Sequence, residues 1–207
     1  MTERKKIITA SVWILGGFLL SQILRLGGNL VLTRLLEPEM FGIMAIVYVA
    51  KQGLAMFSDL GLRAFIIRSP VILGAKDLDT VWTIQVVRGW LMFVGICLLA
   101  FASYAVNAVY KLGETSVYGS AELPYLLVIV GGGAIISGYT TLAPAIMDRE
   151  LKPARLEIIE LISQIIALAV MLFFAWKYRS VWSLVSAAIT GPFIRVLLIY
   201  LFFSIRH

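Results

Sequence analysis

The sequence predicts an all-α membrane protein: a polytopic transmembrane helical bundle of six spans with both termini in the cytoplasm. The first observation is composition, since 60% of the 207 residues are hydrophobic and only 14% are charged. Soluble domains contain about 45–50% apolar and about 25% charged residues. The second observation is a series of apolar runs of roughly 20 residues or more, the length at which a helix crosses a bilayer. The alternation of a transmembrane β-barrel is not found.

Six apolar runs divide the chain, which is interpreted as one lobe over residues 1–207. They are separated by segments rich in charge or in Pro and Gly, such as "LLEPEM" (35–40) and "MDRELKPAR" (147–155). These segments interrupt both the apolar pattern and the helix. The approximate spans are 8–35, 41–67, 80–107, 123–147, 155–176 and 181–204.

The distribution of basic residues predicts the orientation, because cytoplasmic loops carry an excess of Lys and Arg. A cytoplasmic N-terminus places nine basic residues inside: Arg4, Lys5, Lys6, Arg68, Lys76, Arg149, Lys152, Arg155 and Arg206. The outer loops then hold four: Arg34, Lys111, Lys177 and Arg179. The scattered basic residues also explain the net charge of +6, so no nucleic-acid partner is expected.

Catalytic and metal-binding chemistry is not expected, and neither is a cofactor. The chain has one cysteine, Cys97, within an apolar run, and one histidine, His207. That composition excludes Ser-His-Asp and Cys-His arrangements in the body of the protein. Asp77 and Asp79 have the Asp-x-Asp spacing of nucleotide-sugar enzymes, but Asp79 is expected to cap the third helix instead. The protein is therefore predicted not to be an enzyme.

Charged side chains inside the spans are the strongest functional signal. On insertion scales each central Lys or Arg costs about 2.5–3.5 kcal/mol, so such residues are expected to face a water-filled or protein-lined cavity. A candidate anion-binding set consists of the five basic residues within spans: Arg25, Lys51, Arg63, Arg88 and Arg195. A candidate polar lining or coupling set consists of Gln22, Asn29, Gln52, Asp59 and Gln85.

Helical periodicity places many of these side chains on shared faces. At about 100° per residue, Gln22, Arg25 and Asn29 lie within an arc of about 80° on the first helix. Lys51, Gln52, Asp59 and Arg63 lie within about 120° on the second helix. The pattern predicts an interior cationic face, and guanidinium groups suit a phosphate or diphosphate.

A purely structural alternative is open for the same residues. Asp59 and Arg63 are four residues apart and can neutralise each other along one helix. The amide side chains can serve as interhelical hydrogen bonds. One aspartate does not balance five cations, and this surplus favours an anionic ligand, with Lys51 and Arg88 as the foremost phosphate contacts.

Three blocks of the sequence resemble a known family in order and spacing. They are "NLVLTRLLEPEMFGIMAIV" (29–47), with its Arg-Leu-Leu-x-Pro-Glu-x-Phe-Gly core, "MFSDLGLRAFIIRS" (56–69) and "TVWTIQVVRG" (80–89). The chain resembles polysaccharide-transport flippases of the multidrug/oligosaccharidyl-lipid/polysaccharide exporter superfamily. The resemblance extends over the whole chain and is strongest over residues 20–90.

That resemblance implies a multi-pass transporter of the cell inner (plasma) membrane. Its substrate would be an oligosaccharide linked to undecaprenyl diphosphate, as used for O-antigen, capsule or exopolysaccharide. Two six-helix lobes of such flippases alternate access to a central cationic cavity. This chain corresponds to the N-terminal lobe, as a fragment, a truncated product or a half-transporter that pairs with a second lobe.

Two alternatives to the flippase hypothesis follow. The first is a cation-coupled drug or metabolite exporter of the same superfamily, which the basic character of the spans disfavours. The second is a non-transporting membrane scaffold that binds polysaccharide assembly proteins. Besides lipid, the implied partners are therefore a lipid-linked oligosaccharide, a second lobe or assembly proteins.

Overall fold

The computed structural model describes residues 3–58, 61–62, 64, 66, 74–110, 117–149 and 154–202. Seven α-helices and one short 3₁₀ helix account for most of the described part of the chain. They are α1 (Glu3–Leu35), α2 (Pro38–Phe57), α3 (Ala75–Tyr110), the 3₁₀ helix (Val117–Gly119), α4 (Leu123–Gly138), α5 (Ala143–Arg149), α6 (Ala154–Tyr178) and α7 (Trp182–Phe202). No strand occurs among these residues, and the all-α class is confirmed.

Five of the helices are long and apolar enough to cross a membrane: α1, α2, α3, α6 and α7. The apolar helix α4 has 16 residues and is shorter. Many large apolar side chains on these helices are exposed, for example Val49 and Leu26. Lipid covers such faces in a membrane protein, and the multi-pass membrane class follows.

The second helix ends earlier than the expected span of 41–67. It starts at Pro38, because proline is well suited to the first helical turn, and it ends at Phe57. The N–H of Ser58 still bonds the Leu54 carbonyl at 3.0 Å. Gly61 then has φ +64°, a left-handed conformation that glycine adopts without steric cost and that no continuous helix contains.

The expected span of 123–147 is also interrupted. α4 ends at Gly138 and α5 begins at Ala143. Pro144 accounts for the break, since its ring clashes with the carbonyl four residues earlier in a continuous helix and it has no N–H to donate. In the first turn of α5 that missing donor costs nothing.

The start of α3 corrects the expectation that Asp79 is an N-cap. The helix begins four residues earlier, at Ala75. Asp77 in its first turn accepts a hydrogen bond from the Gly74 N–H at 3.0 Å. Asp79 is exposed, and its carbonyl oxygen accepts from the Thr83 hydroxyl at 2.8 Å.

Glycines set the closest helix contact, between α3 and α4. A Cβ added to Gly89 would stand 2.9 Å from the Ala134 carbonyl oxygen and 3.1 Å from the Gly138 Cα. A Cβ on Gly138 would meet the Gly89 Cα at 3.2 Å. The two backbones approach this closely because neither position carries a side chain.

The first helix lies alongside α6 and runs in the same direction. Three successive contacts show the parallel register: Gly17 with Glu157, Ser21 with Gln164, and Gly28 with Leu168. The Ser21 hydroxyl donates to the Gln164 side-chain oxygen at 2.7 Å, and the Gln164 amide donates to the Ser21 carbonyl at 3.0 Å. This reciprocal pair holds α1 against the bundle as an outer wall.

Candidate functional site

A cavity of about 730 Å³ lies between α1, α2, α4, α6 and α7. The three charged side chains of Arg25, Glu160 and Arg195 line it, together with Tyr48. The remaining polar lining consists of Ser21, Asn29, Ser137, Thr140, Ser163 and Gln164. A cavity of this size suits a ligand-binding site, and its polar groups are spread over five elements and the turn after α4.

An ion pair joins α7 to α6 in the cavity. Arg195 Nε lies 2.9 Å from Glu160 Oε2. The side chains are 45% and 52% exposed, so both groups remain open to a ligand or to water in the cavity. An isolated charge at this position would be costly within a membrane, and the pair lowers that cost.

Arg25 and Asn29 line the cavity from α1, one helical turn apart. Both side chains are exposed and line the cavity. Within the described part of the chain, neither has a hydrogen-bond or ion-pair partner. The Arg25 guanidinium is therefore available to an anionic ligand, and the Asn29 amide to a hydroxyl group or a carbonyl.

The cavity is polar toward one end of the bundle and apolar toward the other. Glu160 lies roughly 9 Å from the start of α6, by the rise of 1.5 Å per residue. Met171, in the same lining, lies roughly 25 Å from that start. The apolar end is completed by Leu32, Phe41, Met44 and Leu184. A ligand with a charged head and an apolar part matches this gradient.

Two of the expected site residues hold helix ends. Arg88 on α3 donates from Nε to the Ser58 hydroxyl at 3.2 Å and from its terminal nitrogen to the Ala55 carbonyl at 3.3 Å. Gln85 donates to the carbonyls of Gly138 and Thr140, at 3.2 and 2.7 Å. These contacts stabilise the C-terminal ends of α2 and α4, and substrate contact by either residue stays a prediction.

The remaining expected residues lie at several places. Of those described, Gln22, Lys51 and Gln52 are absent from the cavity lining, and Gln52 is exposed on α2. Asp59 and Arg63 lie outside the described residues. The structure thus brings Arg25, Asn29 and Arg195 to one cavity, whereas Gln22, Lys51, Gln52, Gln85 and Arg88 are not part of its lining. A role in substrate binding stays a prediction for every member of both sets.

The Lys51 ammonium group lies beside Gly133 of α4, near α7. Pro192 is inside that helix and has no N–H for the carbonyl four residues earlier, which is that of Ala188. The Ala188 carbonyl oxygen and the Lys51 Nζ each lie 3.7 Å from the point where a Cβ on Gly133 would stand. The half-buried ammonium and this carbonyl thus both border the small Gly133, which leaves room for each of them.

Sequence reasoning missed several residues of the cavity. Glu160 belongs to neither of the predicted sets, but its carboxylate pairs with Arg195. A signal was present in "EIIELISQ" (157–164), where Glu157, Glu160 and Gln164 recur at helical spacing within an apolar run. Tyr48 and Thr140 carry no comparable signal, because their positions depend on how the helices pack.

The described residues contain no group of three or more His, Cys, Asp or Glu side chains that could hold a metal ion. The helices and the cavity together define a polytopic membrane protein with a polar interior. Residues 31–207 match the model of a family described as polysaccharide biosynthesis protein. The chain therefore belongs to this family and is a multi-pass membrane protein of polysaccharide biosynthesis, which confirms the resemblance to the polysaccharide-transport proteins. No curated protein and no solved structure gives a significant match.

Proposed function

We propose that this chain forms one lobe of a flippase that moves a lipid-linked oligosaccharide from the cytoplasmic to the outer leaflet of the inner membrane. The observation that carries the proposal is the cavity between α1, α2, α4, α6 and α7, with Arg25 on one wall and Arg195 on another. Membership of a polysaccharide biosynthesis family supports a carbohydrate-linked substrate.

The chemistry of the lining fits the parts of such a substrate. Guanidinium groups bind phosphate oxygens through charge-assisted hydrogen bonds, so Arg25 and Arg195 would hold the diphosphate of undecaprenyl diphosphate. Asn29, Thr140 and Gln164 offer amide and hydroxyl groups for sugar hydroxyls. The polyprenyl tail would remain in lipid along the exposed apolar helix faces.

The position of the charges supports loading from the cytoplasm. Glu160 and Arg195 lie toward the end of the bundle where α6 begins and α7 ends. The count of basic residues predicts that this end is cytoplasmic. Binding there and release at the other leaflet require alternating access against a second lobe, from another chain or another part of a longer protein. No bond is made or broken in this step, and the proposed role is transport rather than catalysis.

A test in cells separates transport from the scaffold role. Deleting the gene for this chain is expected to reduce surface polysaccharide and to let completed lipid-linked oligosaccharide accumulate in the inner leaflet. Membrane-impermeant periodate added to intact cells oxidises only sugar that has reached the outer leaflet, so the sugar of the inner-leaflet pool should remain intact. Restoring the chain should remove the accumulated pool. Loss of polysaccharide without any build-up of the completed lipid-linked oligosaccharide would instead indicate a scaffold needed for synthesis and would refute transport.

A further inference from the structure

Glu160 lies where the anionic group of a ligand would bind. Its carboxylate contacts Arg195 at 2.9 Å, and both side chains face the cavity and are about half exposed. The described lining contains two guanidinium groups and this one carboxylate. A phosphate that approached Arg195 would therefore meet a guanidinium that is already paired.

We propose that Glu160 is an internal competitor, a carboxylate that occupies Arg195 in the empty cavity and is displaced when a phosphate or diphosphate binds. This exchange rests on the flippase proposal for its biological ligand, but its chemistry concerns any phosphate group. Because a diphosphate carries more negative charge than a carboxylate and offers more acceptor oxygens, it can replace the carboxylate at Arg195 and leave further oxygens for other donors of the lining, such as Arg25.

The two arginines of the lining lie at similar depth along the bundle axis. Arg25 lies ten residues before the end of α1 at Leu35, roughly 15 Å along the helix. Arg195 lies thirteen residues after the start of α7 at Trp182, roughly 20 Å. Both helix ends are on the same side of the bundle, because α1 runs parallel to α6 and α7 follows α6 through a short turn. The Cα atoms of Arg25 and Arg195 therefore differ in depth by roughly 5 Å along the bundle axis, and both side chains line the same cavity.

The exchange also accounts for how a phosphate could leave. A site with two free guanidinium groups would hold a diphosphate tightly, whereas transport requires release. Return of the Glu160 carboxylate to Arg195 replaces the departing anion and spares the guanidinium an unpaired state within the membrane. Glu160 would thereby set the affinity of the site rather than its selectivity for the sugar.

The test is equilibrium binding of radiolabelled inorganic pyrophosphate to the full chain in nanodiscs of zwitterionic phosphatidylcholine. Glu160→Gln is expected to bind pyrophosphate about tenfold more tightly than the wild type, because the competing charge is gone; a tenfold change equals about 1.4 kcal/mol. Glu160→Asp retains a carboxylate and is expected to resemble the wild type. Arg195→Gln is expected to abolish the gain when combined with Glu160→Gln.

Glu157→Gln is the matched control, since it removes the same charge one turn earlier on α6 at a position outside the cavity lining. The affinity of Glu157→Gln for pyrophosphate should differ from that of the wild type by less than about twofold. A gain equal to that of Glu160→Gln would show that removing any nearby negative charge strengthens binding at long range, and it would overturn the exchange. Unchanged affinity in both Glu160→Gln and Glu160→Ala, with normal thermal stability, would also overturn it.

A second experiment, with phosphatidylglycerol in the nanodisc, distinguishes a lipid headgroup from free pyrophosphate as the source of the phosphate. If this lipid competes with pyrophosphate more strongly in Glu160→Gln, the same exchange takes place with a lipid headgroup.

The two proposals fail separately. Tighter pyrophosphate binding by Glu160→Gln, in a protein whose deletion leaves polysaccharide export intact, would uphold the exchange and refute the flippase. Loss of export on deletion, with no effect of Glu160 on pyrophosphate affinity, would refute the exchange alone.

Discussion

Gly89→Ala is expected to destabilise the folded protein by about 3 kcal/mol, the upper part of the range for added atoms in a packed interior. The new Cβ would stand 2.9 Å from the Ala134 carbonyl oxygen and 3.1 Å from the Gly138 Cα. Both are backbone atoms, so no side chain can rotate away. Relief requires α3 and α4 to separate, which disturbs the Gln85 hydrogen bonds at the end of α4. The measurement is the thermal unfolding midpoint in detergent.

Gly132→Ala provides the control in the same helix pair. A Cβ at that position of α4 would meet nothing within 4 Å. Alanine favours a helix over glycine by about 0.5–1 kcal/mol, so this variant should be as stable as the wild type or slightly more so. Equal unfolding midpoints for Gly89→Ala and Gly132→Ala would show that α3 and α4 do not approach each other as closely at Gly89 as described.

Replacing both cavity arginines, as Arg25→Gln with Arg195→Gln, is expected to reduce polysaccharide export at least tenfold at matched protein levels. A hydrogen bond to a charged group contributes about 1.5–3 kcal/mol, and each guanidinium would supply at least one to the diphosphate. Glutamine retains a polar side chain without the charge. The measurement is the amount of surface polysaccharide together with the inner-leaflet pool of lipid-linked oligosaccharide, which should rise as export falls.

Arg34→Gln is the matched control for this pair. Arg34 is exposed on the same helix as Arg25, in its last turn, and it is not part of the cavity lining. Export should remain within about twofold of the wild type, because surface charges of this kind contribute little. Export that survives the double substitution, or that falls equally with Arg34→Gln, would remove the two arginines from the proposed binding site.

Much of the architecture could be predicted because membrane insertion constrains the sequence directly. Apolar length identified the helices, and helical periodicity placed Arg25 and Asn29 on one face; both line the cavity. The errors came from backbone interruptions at Gly61 and Pro144, where a local residue overrides a continuous apolar run. Such breaks can be predicted by treating each Pro and Gly inside an apolar run as a possible helix end, and not only those between the runs.

The environment of individual polar residues was harder to predict from one sequence. Arg88 and Gln85 look like cavity residues, since each is polar within an apolar helix, but they bond carbonyls at the ends of α2 and α4. Those carbonyls are available only because both helices end within the bundle. Glu160 was not predicted as a cavity residue because its partner, Arg195, is 35 residues away in the sequence. Their pairing depends on the packing of α6 on α7.

The most direct test of the proposed site is photo-crosslinking to a lipid-linked oligosaccharide that carries a radiolabelled diphosphate. In one variant a photoreactive amino acid replaces Tyr48, whose side chain lines the cavity. In the control variant it replaces Val49, which is 72% exposed on α2 and is not part of the lining. We expect labelling from position 48 that a soluble sugar diphosphate competes away, and only uncompeted background from position 49. Equal labelling from both positions, unaffected by the competitor, would contradict binding of the diphosphate in this cavity.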